Sequence, residues 1–179
     1  FFLNLSNPVN ATITDGTGVG IIVDEDRAYP ADFDRDWHSD LSLFRPGGGN
    51  WYIFNSASAT QSIVPFGLAG DRPTPGDYDG DGKTDVALFR PSTGTWYVIN
   101  SSNASVQITN WGASGDKPVQ GDYDGDGKTD LAVYRPSTGT WWITRSSNST
   151  SYTVVFGIST DRLVQGDYDG DFKTDVAVY

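Results

Sequence analysis

Short apolar runs broken by glycine, proline and clustered aspartate recur along the chain, and no window keeps a helical period. In the clearest stretch, 85–89 is a β-rich run, 91–94 has turn chemistry, and 95–99 is a second apolar run that closes a hairpin. Residues 105–109 alternate apolar and polar side chains as a half-buried strand does, and 118–120 offers a fourth, edge strand. The pattern predicts an all-β chain built from units of three or four strands.

The predicted unit repeats every 45 residues without a gap. The ten residues 76–85 return at 121–130 and 166–175, and a degenerate copy lies at 31–40. Three further features keep the same spacing: an arginine-proline pair, an aromatic pair and an aromatic-glycine pair. They are Arg45-Pro46, Arg90-Pro91 and Arg135-Pro136; Trp51-Tyr52, Trp96-Tyr97 and Trp141-Trp142; and Phe66-Gly67, Trp111-Gly112 and Phe156-Gly157. An ungapped period in this range indicates a propeller, a solenoid or an array. Three or four strands in 45 residues is the size of one propeller blade.

Each repeat opens with an aspartate-rich loop, which in its complete form reads Asp-x-Asp-x-Asp-Gly-x-x-Asp. Alternate carboxylates on a tight loop converge on one point, and the carbonyl at position 7 can join them. Calcium prefers such a set of hard oxygen ligands, whereas magnesium takes fewer protein ligands and keeps its waters. We therefore predict calcium in four loops. The predicted ligands are Asp32, Asp34, Asp36, His38 and Asp40; Asp77, Asp79, Asp81, Lys83 and Asp85; Asp122, Asp124, Asp126, Lys128 and Asp130; and Asp167, Asp169, Asp171, Lys173 and Asp175, with His38 and the lysines contributing backbone carbonyls.

The four loops differ at position 6. The two central loops have Gly82 and Gly127 there, but the end loops have Trp37 and Phe172. A left-handed backbone at this position is awkward for a bulky residue. We expect two strong calcium sites, in the loops that begin at Asp77 and Asp122, and two weaker sites at the ends.

Charge and composition agree with a metal-stabilised protein. The chain has no cysteine and so cannot form disulfides. An extracellular protein without disulfides needs another stabilising crosslink, and bound metal is the usual substitute. Sixteen of the 23 acidic residues lie in the four loops, and four calcium ions would change the net charge from −11 to −3.

The net charge of −11 argues against nucleic acid and anionic membrane as partners, and no apolar run is long enough for membrane insertion. Because the chain starts without methionine or a signal-peptide pattern, we expect a processed or partial piece of a longer protein.

The aspartate loop that leads into Val86-Ala87-Leu88-Phe89-Arg90-Pro91, at a spacing of 45 residues, resembles the bacterial FG-GAP/VCBS-type repeats. These are related to the calcium-binding blades of the integrin α propeller, and the resemblance places the repeats at 29–179. It implies propeller-like β blades, calcium in the loops, and extracellular or bacterial cell-surface adhesion or scaffolding. A closed propeller needs at least four blades, and the fourth repeat here extends only one strand, to Tyr179. We therefore expect an incomplete propeller or one completed by another molecule.

Residues 1–28 lie outside the repeat and resemble the C-terminal hairpin of a Calx-β domain. The apolar stretches 2–13 and 18–26 predict an N-terminal β-hairpin. Two interpretations stay open. The segment is either the remnant of a neighbouring domain, or a donor strand that completes a β structure in the next copy and so builds a head-to-tail surface filament.

Candidate catalytic chemistry is scarce. His38 is the single histidine and lies in the degenerate loop, where a surface position is the simplest interpretation. Without cysteine, and without a serine near histidine in a hydrolase-like motif, nucleophilic catalysis has no candidate. Paired carboxylates could serve glycoside hydrolysis, but the repeat pattern already uses every clustered aspartate. We predict that the chain is not an enzyme.

The recurring aromatic pairs carry the alternative function. They could stack on sugars, which would make the chain a carbohydrate-binding propeller, but their recurrence at strand positions favours core packing between blades. We expect Arg45, Arg90 and Arg135 to pair with loop carboxylates or strand-end carbonyls. Sequons mark Asn4, Asn10, Asn100, Asn103 and Asn148 as glycosylation candidates, and Asn103 and Asn148 lie one period apart in turns. The expected partners are other copies bound end to end or neighbouring domains of a longer chain, with glycans as a further candidate.

Overall fold

The structure is a computed structural model that describes residues 2–4, 17–19 and 31–179. These residues form antiparallel strands joined by turns and contain no helix, which confirms the all-β prediction. Strands β1 (Phe2–Asn4) and β2 (Thr17–Val19) pair antiparallel, with Phe2 opposite Val19. Most of the predicted Calx-β-like segment lies outside the described residues. Its likeness to a Calx-β domain and its role as a donor strand stay predictions.

Each of three sheets is built mainly from one repeat. The first contains β3 (Leu41–Arg45), β4 (Asn50–Asn55) and β5 (Thr60–Pro65); the second contains β6 (Arg72–Pro73), β7 (Val86–Arg90), β8 (Thr95–Ile99) and β9 (Val106–Asn110); the third contains β10 (Lys117–Pro118), β11 (Leu131–Arg135), β12 (Thr140–Thr144) and β13 (Ser151–Val155). Strands that follow one another in sequence lie side by side and antiparallel, so every sheet is a meander. The predicted strands are present, although two of them start one residue later than the pattern indicated, and the edge strand is two residues long.

The fourth repeat begins in the same way as the others. Leu163 pairs with Val178, and Gly166 pairs with Asp175, as isolated antiparallel bridges. Among the described residues the sheets do not close into a barrel. The architecture fits an incomplete propeller, as the sequence predicted.

The core lies between successive sheets. Trp51, Trp96 and Trp141 are at most 1% exposed, and each packs against the first strand of the following repeat. At the first interface, Trp51 packs in one cluster with Val86 and Leu88. Burying a side chain such as leucine or valine contributes about 1.5–3 kcal/mol, so the contact with the next sheet stabilises each core. This explains why the first aromatic of each pair recurs, and it confirms core packing for that position.

In two of the repeats, an arginine forms an ion pair with a buried aspartate. Arg90 donates from Nε and Nη2 to the carboxylate of Asp71, both at 2.8 Å, and Arg135 donates to Asp116 at 3.0 and 2.9 Å. Both aspartates lie outside the aspartate-rich loops, so the expectation that these arginines pair with loop carboxylates or strand-end carbonyls is wrong for Arg90 and Arg135. The recurrence of Asp71, Asp116 and Asp161 every 45 residues is a sequence signal that could have identified these partners.

The same arginines cover the second aromatic of each pair. The guanidinium carbon of Arg90 lies 4.4 Å from the ring centre of Tyr97, and that of Arg135 lies 4.9 Å from Trp142. Arg45 stacks on Tyr52 in the same way, at 4.4 Å. Such cation–π contacts stabilise the partly exposed rings and occupy one face of each.

Candidate metal centre

The aspartate loop is folded by its own first side chain. The carboxylate of Asp77 accepts N–H bonds from Gly80 at 2.6 Å and Gly82 at 2.8 Å. At the base of the loop, the Asp85 N–H donates to the Gly76 carbonyl at 2.8 Å. Aspartate favours such turns because its short side chain reaches the backbone a few residues ahead. The loop is therefore a closed turn with the Asp77 carboxylate directed inward.

Three carboxylates of each loop come together, with candidate ligand atoms within 4.8 Å of one another. In three loops they come from positions 1, 3 and 9, and in the first loop from positions 1, 3 and 5. The groups are Asp77, Asp79 and Asp85; Asp122, Asp124 and Asp130; Asp167, Asp169 and Asp175; and Asp32, Asp34 and Asp36. Four such oxygen clusters, one in each repeat, could each hold a metal ion.

The remaining predicted ligands lie on the same turns but outside these groups. Asp81 accepts the N–H of Lys83 at 2.8 Å, and Asp126 and Asp171 do the same for Lys128 and Lys173 at 2.9 Å. His38 donates its N–H to Asp36 at 2.8 Å, and its ring is exposed. In the first loop, Asp40 accepts backbone N–H bonds from Phe33 and Ser56 at 2.7 Å. Metal binding by the carbonyls of His38 and the lysines stays a prediction.

Position 6 has the left-handed backbone that the sequence indicated. Its φ is +82° at Gly82 and +83° at Gly127, and also +67° at Trp37 and +65° at Phe172. The bulky residues thus adopt a conformation that costs about 1–2 kcal/mol for a residue with a Cβ. This cost is the physical basis for expecting weaker binding in the end loops.

A serine turn closes each central loop from the opposite side. Ser101 donates its hydroxyl to Asp81 at 2.9 Å, and Ser102 donates to Asp79 at 2.6 Å. The Ser101 N–H also donates to Asp85 at 2.6 Å. Ser146 and Ser147 repeat the hydroxyl contacts on Asp126 and Asp124. These serines were not predicted as site residues, although the Ser-Ser pair recurs after one period in the sequence.

The first repeat lacks the second serine, and the consequence is visible at Asp34. Ala57 stands where the next repeats have Ser102 and Ser147. Both carboxylate oxygens of Asp34 are buried and have no hydrogen-bond partner. An ionised carboxylate in that situation is strongly destabilised unless a cation or donor satisfies it. The donor set at Asp34 therefore fits a bound cation.

Burial gives the same indication in the central loops. Loss of solvent raises the pKa of Asp77, Asp85 and Asp130 above the ordinary value, although backbone hydrogen bonds oppose the shift. At Asp77 the neighbouring carboxylates of Asp79 and Asp81 raise it further. Negative charge is thus concentrated where it is poorly hydrated, an arrangement that a divalent cation would relieve.

The sequence pattern of the FG-GAP-like repeat matches residues 32–88, 77–133 and 122–178. The chain belongs to the FG-GAP-like repeat family. Each match begins at the first aspartate of one loop and ends in the first strand after the next, so each FG-GAP repeat contains one sheet flanked by two loops. No match was found among curated proteins. The prediction of an FG-GAP-type repeat is confirmed, whereas the VCBS and Calx-β assignments stay predictions.

The remaining site predictions concern the sequon asparagines and the recurrent tryptophans. Asn103 and Asn148 are exposed in turns, as a glycan carrier must be, while Asn100 is 5% exposed, which counts against it. Asn10 lies outside the described residues, and the structure describes Asn4 only as part of β1. The buried tryptophans at 51, 96 and 141 are not available to stack on a sugar.

Proposed function

We propose that the chain is a calcium-stabilised structural and adhesion module that acts outside the cell or on its surface. Its FG-GAP repeats and all-β sheets indicate a β-propeller-like structural or adhesion module, and its acidic clusters could hold metal. No catalytic function is indicated by the repeat family. The proposal adds the identity of the ion, the cellular location and the mode of assembly.

The buried, unpartnered carboxylate of Asp34 is the observation that carries the metal assignment. In each repeat the clustered aspartates would hold the ion, and calcium suits them because it accepts several hard oxygen ligands in flexible geometry. When bound, the ion would neutralise the clustered charge and crosslink the loop to the start of the following strand. The chain has no disulfide, so this crosslink would be a main source of its rigidity.

The exposed face of the first sheet supports association with a second copy. Val86 and Leu88 are 8% and 1% exposed because the preceding sheet covers them, but Leu41 and Leu43, one period earlier, are 76% and 47% exposed. The face of the first sheet thus continues an interface that already exists between blades. We propose that another copy covers it, so that the chain forms head-to-tail assemblies.

An extracellular or surface location is supported by the repeat family, whose members are typically found there. No helix among the described residues is both long enough and apolar enough to cross a membrane. The exposed sequons at Asn103 and Asn148 would then be the positions for attached glycans. The alternative of a carbohydrate-binding propeller has less support, because the recurrent tryptophans are in the core.

Calcium binding is tested by thermal unfolding in millimolar calcium, in millimolar magnesium and after chelation. We expect calcium to raise the melting temperature strongly, magnesium to raise it less, and Asp77→Asn to remove part of the gain. Binding to the native state alone contributes about 2.7 kcal/mol per site at a hundred times Kd. Identical melting curves in calcium and chelator would refute the metal assignment.

End-to-end association is tested separately by light scattering in calcium. We expect mass to grow with concentration for the native chain and to stay monomeric for Leu43→Asp. Ile108→Asp is the matched control, because Ile108 is 64% exposed but lies on an edge strand in the middle of the array. A native chain that stays monomeric at all concentrations would contradict the self-association.

A further inference from the structure

The metal loops of neighbouring repeats are bonded to one another through the backbone. In each case the residue at position 8 of one loop donates its N–H to the carbonyl of the first aspartate in the loop before it. The three bonds are Thr84 to Asp32 at 2.7 Å, Thr129 to Asp77 at 2.6 Å and Thr174 to Asp122 at 2.6 Å. All four loops therefore form one continuous ladder.

This bond joins the ligand sets almost directly. Asp77 belongs to the carboxylate cluster of the second loop, and Thr129 immediately precedes Asp130 in the cluster of the third. An ion that fixes the backbone at Asp77 also fixes the acceptor for Thr129. Part of the ordering of the third loop would then already be complete before its own ion binds.

The second and third loops approach the loops that follow them too closely for a side chain at the residue before the first aspartate, which is glycine in both, whereas the first loop has Ala31 there at a φ of +75°. A Cβ added to Gly76 would lie 2.6 Å from Thr129 Oγ1, and one added to Gly121 would lie 2.5 Å from Thr174 Oγ1. Gly166, at the same position of the last loop, has no contact closer than 3.8 Å, to Tyr168. None of these three glycines has a positive φ, so the requirement for glycine at the first two is steric.

We propose that neighbouring loops bind calcium cooperatively through this contact, with Gly76 and Thr129 as positioning residues. The inference rests on the proposed calcium binding, for which the orphaned carboxylate of Asp34 is the independent observation. Coupling of this kind is reciprocal, so disabling either loop weakens its neighbour by the same factor. It also makes the array stiffen as a unit instead of blade by blade.

Two glycine amides report on the two central loops. Gly82 and Gly127 both donate an N–H to the first aspartate of their loop at 2.8 Å, so ¹⁵N-glycine labelling gives one NMR probe for each site. In a calcium titration of the native chain, we expect the two signals to move with a common, steep midpoint. Gly76→Ala should push the two loops apart and raise both calcium midpoints by about fivefold or more, which is the low end of the usual coupling between sites. Gly166→Ala should leave them unchanged.

A second variant keeps the loop contact and removes only the metal of the third loop. Asp124→Asn with Asp126→Asn leaves the Thr129 N–H and every ligand of the second loop in place. We expect the Gly82 midpoint to rise by about fivefold in this variant. A Gly82 midpoint that is unchanged in both variants would overturn the coupling while leaving calcium binding intact. Absence of any calcium-dependent shift in the native chain would overturn the proposed function together with the coupling.

Discussion

The pair of Asp116 and Arg135 offers a direct test of what holds one blade together. The Asp116 side chain is 2% exposed and accepts two bonds from the guanidinium and one from the Ala113 N–H at 2.8 Å. The same pairing raises the pKa of Arg135, so the guanidinium stays charged. In Asp116→Asn, one accepting oxygen is replaced by an amide group whose hydrogens face those of the guanidinium.

The expected loss follows from these contacts. Breaking a fully buried ion pair costs about 3–5 kcal/mol. The Arg135 side chain is 29% exposed and can regain water, so we expect Asp116→Asn to lose only about 2–3 kcal/mol of unfolding free energy. For a chain of this length, that corresponds to a melting temperature lower by roughly 4–12 °C.

Asp161→Asn is the matched control. Asp161 stands one period after Asp116 and accepts the Ile158 N–H at 2.8 Å, but it has no ion pair within the described part of the chain. Asparagine can keep this bond, so we expect a loss below about 0.5 kcal/mol. The assay is urea denaturation followed by tryptophan fluorescence, with calcium held in excess. Equal midpoints for the two variants would show that the bidentate pair contributes nothing, and the reasoning would be refuted.

Three further perturbations test the loops and the core. Because burial raises the pKa of Asp85 and Asp130, their contribution to stability is present below the ordinary value of 3.8 and is lost as pH rises through the raised pKa. On acidification from neutral pH, the melting temperature of the chelated chain should therefore rise, whereas that of the calcium-loaded chain should fall. Melting temperatures that change in the same direction in both samples would contradict this. Phe172→Gly should relieve the left-handed strain, stabilise the last loop by about 1 kcal/mol and tighten its calcium binding in calorimetry, whereas Phe172→Ala, which keeps the Cβ, should not. Trp141→Ala should lower the free energy of unfolding by about 3–5 kcal/mol in chemical denaturation, because its ring is fully buried, and Trp142→Ala should lower it clearly less. Equal losses would refute the assignment of Trp141 to the core and of Trp142 to a partly exposed position.

The candidate site was only partly predictable. The positions of the aspartates follow from their spacing, since alternate residues of a tight turn must face the same point. The spacing does not show which carboxylates form the cluster. In the first loop Asp36, at position 5, joins the cluster in place of the aspartate at position 9. Asp81 and Asp126 lie outside their clusters and accept serine hydroxyls from a turn about twenty residues later. The partners of Arg90 and Arg135 were predicted wrongly for a similar reason. The choice between two nearby carboxylates depends on how the strands fold back, and not on their distance along the chain.

The β class, the repeat and the location of the acidic loops could be predicted from the amino-acid sequence alone, because alternation, turn residues and an ungapped period of 45 residues are local properties of the chain. The left-handed backbone at position 6 of each loop was also predictable, since every copy follows the same turn. The contacts between one repeat and the next could be seen only in the folded protein. The burial of Trp96 against Val133, the contact of Gly76 with Thr129 and the orphaned carboxylate of Asp34 all arise where segments distant in sequence pack together. Such contacts depend on the relative placement of whole sheets, which no local pattern encodes.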